Sequence, residues 1–275
     1  MANLGEQVGE GRTSVVYEYG PGAVVKVPKP HIPDEWAELE ARHTAEVHAV
    51  GGPAPAVHDV VEAQGRTALV LQRIDGQPLW DLMRRNPKDE AYWMAALAAL
   101  QRRIHRLDLP PSLPDLVGRM RSKVQSLRPL SEPERVAALD LVDQLPRGAA
   151  VLHGDLHPGN VIVTDKGLVA IDWFDVSIGH PMADAVRTSL LIRPVPGSAV
   201  VHLPGADVLT LDTMQRYHQA EFPECDWTGA RWWAAIALSR LTEAAEVHER
   251  DLWALWRRYA ADPAARRQSL SGGSR

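Results

Sequence analysis

Short β-branched runs alternate with turn formers over roughly the first seventy positions of the chain. Val15-Val16-Tyr17 and Ala23-Val24-Val25-Lys26-Val27 are split by Gly20-Pro21-Gly22, which predicts two strands and a turn. A helix is expected from Pro33 to Val50, with Asp34 near its start and Gly51-Gly52 stopping it. Pro53 and Pro55 then lead into a second strand pair, Ala56 to Val61 and Thr67 to Leu71, joined at Gln64-Gly65-Arg66. The segment Asp75-Gly76-Gln77-Pro78 is dense in turn formers and reads as a hinge between two lobes.

Beyond the hinge the period changes. Met94, Leu97, Leu100, Ile104 and Leu107 recur at helical spacing, predicting a helix over Asp89 to Asp108. Further helices are expected over Leu113–Ser126, Glu132–Gln144, Ala183–Leu191, Leu211–Glu221, Gly229–His248 and Asp251–Tyr259. One strand–loop–strand unit, Val151 to Asp172, interrupts them. Its apolar runs Val161-Ile162-Val163 and Leu168-Val169-Ala170-Ile171 flank the turn Asp165-Lys166-Gly167. No internal repeat is visible. The expected division is residues 1–74, residues 75–265 and a disordered tail over 266–275.

Composition narrows the classes. At 275 residues, 45% hydrophobic and 24% charged, the chain can form one large domain or two modest lobes around a cleft. A net charge of −5 and a pI of about 6.1 argue against a protein that coats nucleic acid. The single cysteine, Cys225, allows no internal disulfide and fits a reducing cytosol. The N-terminal residues lack a signal-peptide pattern, and the longest apolar stretch, around Ala91 to Leu100, is too short to span a bilayer. A cytoplasmic location with no membrane partner is the expectation.

Chemistry concentrates in His153-Gly154-Asp155-Leu156-His157-Pro158-Gly159-Asn160, followed by Asp172 in Ile171-Asp172-Trp173. Phosphoryl transfer needs a carboxylate to orient a hydroxyl and take its proton, and oxygen ligands to hold magnesium against phosphates. An Asp, an Asn five residues later and an Asp closing the next hairpin supply that set, in the order of the protein-kinase catalytic loop. Asp, Asn and Gly also build ordinary turns. His153 and His157 around Asp155 could belong to a transition-metal site. Neither alternative explains an Asp placed at the end of a fully apolar strand.

A second feature is Gly9-Glu10-Gly11-Arg12-Thr13-Ser14-Val15, with Lys26 on the following strand. Glycines let a backbone pass close over phosphates, and a strand lysine can neutralise their charge. Ser14 stands where the usual glycine triplet has its third glycine. No GxxxxGK[ST] string is present. Lys26 should pair with a carboxylate on the first helix; Glu38, Glu40 and Glu46 are the candidates, with Glu35 behind them and Glu40 preferred.

Together, HGDLHPGN, IDW, the early glycine-rich loop, the strand lysine and a PxP after the first helix resemble the aminoglycoside phosphotransferase and choline-kinase-like family. The resemblance runs from about Gly9 to Thr188 and is most specific over 153–172. It implies an α+β, bilobal protein-kinase-like fold: a small N-terminal antiparallel sheet lobe with one helix, and a larger, mainly helical C-terminal lobe. It implies an ATP-dependent O-phosphotransferase, with GTP as the alternative nucleotide and Mg2+ as cofactor. By this resemblance Asp155 is the catalytic base and Asn160 and Asp172 are magnesium ligands. Gly9, Gly11, Ser14 and Lys26, paired with Glu40, place the phosphates, and the hinge contacts adenine through the Gln72 carbonyl and the Ile74 N–H. Asp184 corresponds to a structural aspartate bracing the catalytic loop. His153 and His157 fit similar bracing roles, and His105 a helix-terminal one.

The partner is expected to be a small-molecule hydroxyl acceptor. It would be an aminoglycoside or another antibiotic, or alternatively a metabolite such as an amino alcohol, sugar or nucleoside. A non-catalytic nucleotide-binding module is the remaining alternative. Trp227, Trp232, Trp233, Trp253 and Trp256 occur with Glu221, Glu224, Asp226, Glu243, Glu246 and Glu249, which would suit a polyamine. Core tryptophans beside solvated helix acids are the preferred reading, because arginines are interleaved. Asp175 is placed to touch an acceptor.

Overall fold

Alternation along the N-terminal strands fixes which side chains face the cleft. The computed structural model describes residues 4–110, 112–192, 230–242 and 246–262. Strands β1 (Gln7–Glu10), β2 (Ser14–Glu18), β3 (Ala23–Pro28), β4 (Val57–Ala63) and β5 (Arg66–Gln72) form one antiparallel sheet in the order β1-β2-β3-β5-β4. On β3, Val25 and Val27 pack with Ala63, Ala68 and Val70 on one face. Val24 and Lys26 take the opposite face by the period of two, and there Val24 packs against Leu69, Leu71 and Ala41 of the first helix.

That helix, α1 (Glu35–Ala49), buries Ala37, Glu40, Ala41, Thr44 and Val47, a stripe at i, i+3, i+4, i+7 and i+10. Glu40 lies within this stripe, whereas Glu35 and Glu38 are exposed. Asp34 does not cap α1; its carboxylate takes Arg66 Nε at 2.6 Å instead.

The remaining chain is mainly helical: α2 (Leu79–Arg85), α3 (Glu90–His105), α4 (Leu116–Ser126), α5 (Glu132–Asp143), α6 (Pro181–Ile192), α7 (Ala230–Leu241) and α8 (Glu246–Ala261). Two small sheets lie among the helices. One joins β6 (Gln77–Pro78), β8 (Val161–Thr164) and β9 (Gly167–Ala170); the other pairs β7 (Ala150–Leu152) with β10 (Ser177–Gly179). Leu79, Met83, Met94, Leu97, Ile104, Leu156, Val161 and Trp173 form the core beneath the 153–172 segment. A second core joins α4 to α8.

Several boundaries depart from the sequence-based expectation. The expected Gly229–His248 helix ends at Leu241, and the next begins at Glu246, not Asp251; the two helices then pack together and share the second core. Strands β1, β6, β7 and β10 and helix α2 are additions, all of seven residues or fewer; β6, β7 and β10 form against partners distant in sequence, whereas β1 closes a local hairpin with β2. Helix α4 starts at Leu116, where Asp115 accepts the Gly118 N–H at 2.8 Å as an N-cap. The expected Leu211–Glu221 helix, Cys225, Trp227 and the tail lie outside the described residues. Trp232 and Trp256 are buried in the core, with Trp233 and Trp253 packed against it. Among the described residues no helix is long and apolar enough to cross a membrane.

Candidate active site

Hydrogen bonding within the strand–loop–strand unit brings its functional residues together. The Ile171 N–H donates to the Asn160 carbonyl at 2.9 Å, so the residue before Asp172 is tied to the residue ending the loop. Asn160 Nδ2 donates to both the carbonyl and the carboxylate of Asp155, at 3.0 and 3.2 Å. With the amide hydrogens committed there, Asn160 Oδ1 is left to act as an acceptor or metal donor. Asp172 adopts φ of 65°, a left-handed conformation uncommon outside glycine and enriched at functional sites.

Lys26 reaches this segment from the sheet. Its Nζ lies 2.7 Å from Glu40 Oε1, 2.8 Å from Glu40 Oε2 and 3.2 Å from Asp172 Oδ1. Of the four glutamates weighed from sequence, Glu40 is the partner. Glu46 is instead taken up by the Ser112 hydroxyl. Burial pulls Lys26 down, but Asp172 and then Glu40 outweigh it and hold the ammonium above its ordinary value. Burial raises Glu40 to about 7; Lys26 opposes that rise and Asp172 adds to it. One ammonium shared by two carboxylates leaves an excess of negative charge for a cation to neutralise.

The loop carrying Asp155 is braced from behind. Asp184 on α6 is buried and accepts the His153 N–H at 3.0 Å and the Gly154 N–H at 2.8 Å. His105 Nε2 stands 3.1 Å from the same carboxylate, so this histidine is part of the brace. Thr188 donates to the Leu156 carbonyl at 2.8 Å and accepts from Gln101 of α3 at 3.1 Å. His153 is fully buried; its Nδ1 accepts the Asp155 N–H at 3.2 Å, so Nε2 carries the proton to the Ile171 carbonyl at 3.1 Å. Its ring packs against buried Trp173, with centroids 4.4 Å apart. His157 Nδ1 accepts the Gly159 N–H at 3.0 Å.

A cavity of about 630 Å³ opens over this assembly. It is lined by Gly11 and Ser14 of the glycine-rich segment, Lys26, Glu40, Asp155, Asn160 and Asp172, among others. Among the described residues the lining does not include Gly9, Gln72 or Ile74. Gly9 sits on β1 opposite Val16. Gln72 is tied to Ala56 through its N–H at 2.8 Å and its Oε1 at 3.2 Å.

Cations that the motifs did not reveal also line this cavity. Arg187 Nη2 lies 3.1 Å from both Asp155 Oδ1 and Asp175 Oδ2. Arg119 Nη2 is 2.6 Å from Asp175 Oδ1, and Lys123 Nζ is 3.8 Å from that oxygen. Burial alone would raise Asp155, but Arg187, His157 and His153 hold it below the usual carboxylate value. The spacing of Arg119 and Lys123, four apart on one helix, was the only trace of this cluster in the sequence. Asp175, expected near an acceptor, is engaged by all three cations.

The phosphotransferase enzyme family model matches residues 5–203. No curated protein sequence matches the chain. The fold is shared with solved structures of low identity. A choline/ethanolamine kinase family protein from Mesorhizobium loti superposes with a TM-score of 0.61 at 15% identity, covering 96% of this chain and 90% of that one. A thermostable mutant of aminoglycoside phosphotransferase APH(4)-Ia, in ternary complex with AMP-PNP and hygromycin B, gives 0.61 at 17% identity, covering 98% and 94%. The GDP and kanamycin complex of APH(2")-IIia gives 0.55 at 16% identity, covering 98% and 93%.

Proposed function

The chain belongs to the phosphotransferase enzyme family, and from that premise we propose that it moves the γ-phosphoryl group of a magnesium nucleotide onto a hydroxyl of a small molecule, with Asp155 as the base. It is a small-molecule kinase. The observation that carries the assignment of residues is that Asp155, Asn160 and Asp172 of one segment and Lys26 of β3 line one cavity.

In this reading Lys26, held by Glu40, contacts the α/β-phosphates, and the segment from Gly9 to Ser14 covers them. ATP is the nucleotide proposed, with GTP as the alternative, which the GDP bound in one neighbour supports. Gln72 and Ile74 would receive adenine through backbone groups. Asn160 Oδ1 and the Asp172 carboxylate are hard oxygen donors suited to Mg2+, which when bound neutralises charge on the phosphate oxygens. The acceptor oxygen attacks Pγ in line. The bond from Pγ to its bridging oxygen breaks, its electron pair leaves on the nucleoside diphosphate, and the acceptor proton passes to Asp155. Arg187 keeps Asp155 ionised and oriented, so catalysis is mainly positioning and charge stabilisation. The acceptor is an aminoglycoside or another antibiotic in one reading and a small metabolite in the other; ADP release over a panel of both kinds of compound separates them.

Asp155→Asn tests the assignment. It should lower kcat by roughly a hundredfold or more while leaving nucleotide affinity largely intact. Near-normal turnover in that variant would remove Asp155 from the base role.

A further inference from the structure

Resting on the kinase reading above, we propose that Trp36 and His43 are positioning residues: acting through Phe174, they hold Asp172 where it can take magnesium. Trp36, Glu40 and His43 follow one another at i, i+4 and i+7, so they share one face of α1. All three bear on the segment that opens at Asp172. The Trp36 ring stacks on Phe174, with centroids 4.5 Å apart and planes 30° apart. His43 Nδ1 lies 3.1 Å from the Phe174 carbonyl; a carbonyl only accepts, so Nδ1 carries the proton and donates. Glu40 takes the Lys26 ammonium, which stands 3.2 Å from Asp172 Oδ1.

Asp172 needs such support. Its φ of 65° is costly for a residue with a Cβ and lasts only where the surroundings impose it. On one side, Ile171 is tied at both backbone groups, its N–H to the Asn160 carbonyl at 2.9 Å and its carbonyl to His153 Nε2 at 3.1 Å. On the other, Trp173 is fully buried and its indole N–H donates to the Ala170 carbonyl at 2.9 Å. Those contacts lie within the catalytic loop and its hairpin. Phe174 adds a hold from outside them, because α1 packs on the five-stranded sheet through Ala41. The helix grips Phe174 twice, at its ring and at its carbonyl, two residues beyond Asp172. Rotation of the Asp172 backbone toward an ordinary conformation would have to break both. Trp36 is 38% exposed, so its ring is no core residue; what it covers is Phe174. Both rings also border the cavity that Asp155, Asn160 and Asp172 line. One helix face thus sets two things together: Glu40 places the lysine, while Trp36 and His43 place the carboxylate beside it.

The test measures binding of a fluorescent ATP analogue to the full chain, once with Mg2+ and once with EDTA, beside thermal unfolding. Trp36→Ala and Phe174→Leu should each weaken binding with Mg2+ about three- to tenfold, the worth of one aromatic pair, and leave binding in EDTA and the unfolding temperature close to the parent. Trp36→Phe keeps a stacking ring and should recover the affinity. His43→Ala should show the same split. His43→Asn, whose amide nitrogen stands as many bonds from Cα as Nδ1, should recover it. A merely structural role would lower stability and weaken binding equally with and without the metal. That result overturns the inference, as does Mg2+-dependent affinity within about twofold of the parent in Trp36→Ala and Phe174→Leu, or no recovery in Trp36→Phe. His43→Asn no better than His43→Ala removes His43 from it. Each of these leaves the kinase reading standing. No binding of the nucleotide by the parent chain with Mg2+ sinks the kinase reading, and this inference with it.

Discussion

Asp184 Oδ1 accepts the backbone N–H of Gly154 at 2.8 Å, so a buried carboxylate on α6 fixes the peptide next to the proposed base. Its other oxygen takes the His153 N–H at 3.0 Å and faces His105 Nε2 at 3.1 Å. Removing the carboxylate leaves two buried N–H groups and a histidine without their acceptor. Asp184→Ala should therefore cost about 3–5 kcal/mol in urea unfolding, a loss typical of a broken buried pair. An unfolding curve superimposable on the parent would show that the brace contributes no stability.

Two glycines near the site should respond in opposite ways. Gly154 has φ of +80°, and a Cβ there would lie 2.2 Å from the Asp175 carbonyl oxygen. Gly154→Ala is expected to destabilise by roughly 2–4 kcal/mol and to lower kcat by moving Asp155. Gly11 is exposed and has no strained φ, and a Cβ added there would meet nothing closer than the Ser14 carbonyl oxygen, at 3.9 Å. Gly11→Ala should fold with stability within about 1 kcal/mol of the parent while raising the KM for nucleotide, because only the nucleotide needs the space. An unchanged KM would take this segment out of the nucleotide site.

Stability should fall in mild acid. Burial first of all pulls His43 and His153 below the ordinary histidine value of 6.5. A depressed folded value means that the unfolded chain takes up protons first as pH drops. The contribution is therefore complete above about 6.5 and is lost as pH falls through the folded values. Protonated His153 would also turn Nδ1 from an acceptor of the Asp155 N–H into a donor facing it. Urea unfolding between pH 8 and pH 5 should show this decline, and His153→Gln should flatten it. A decline of the same slope in His153→Gln would assign the effect to other groups.

The sequence by itself determined which residues are available for phosphoryl transfer. Asp155, Asn160 and Asp172 fall within one short segment, and a hairpin between two apolar runs can meet at its ends only one way. Register and loop length are local properties, so that part was legible, as was the placement of Lys26 on the strand that follows the glycine-rich segment. Helices with strong periodicity, such as α3, were legible for the same reason. Strands of two to four residues, such as β6, β7 and β10, carry too little pattern of their own and exist because a distant partner supplies the hydrogen bonds.

Only the tertiary structure decided the rest. Glu40 was one of four glutamates on or near one helix until the packing of α1 on the sheet buried it against Lys26. Arg119, Arg187 and Arg240 lie far apart in the chain, and nothing local relates them. Their convergence on one cavity follows from how α4, α6 and α7 pack around a shared core, a non-local arrangement that no motif encodes.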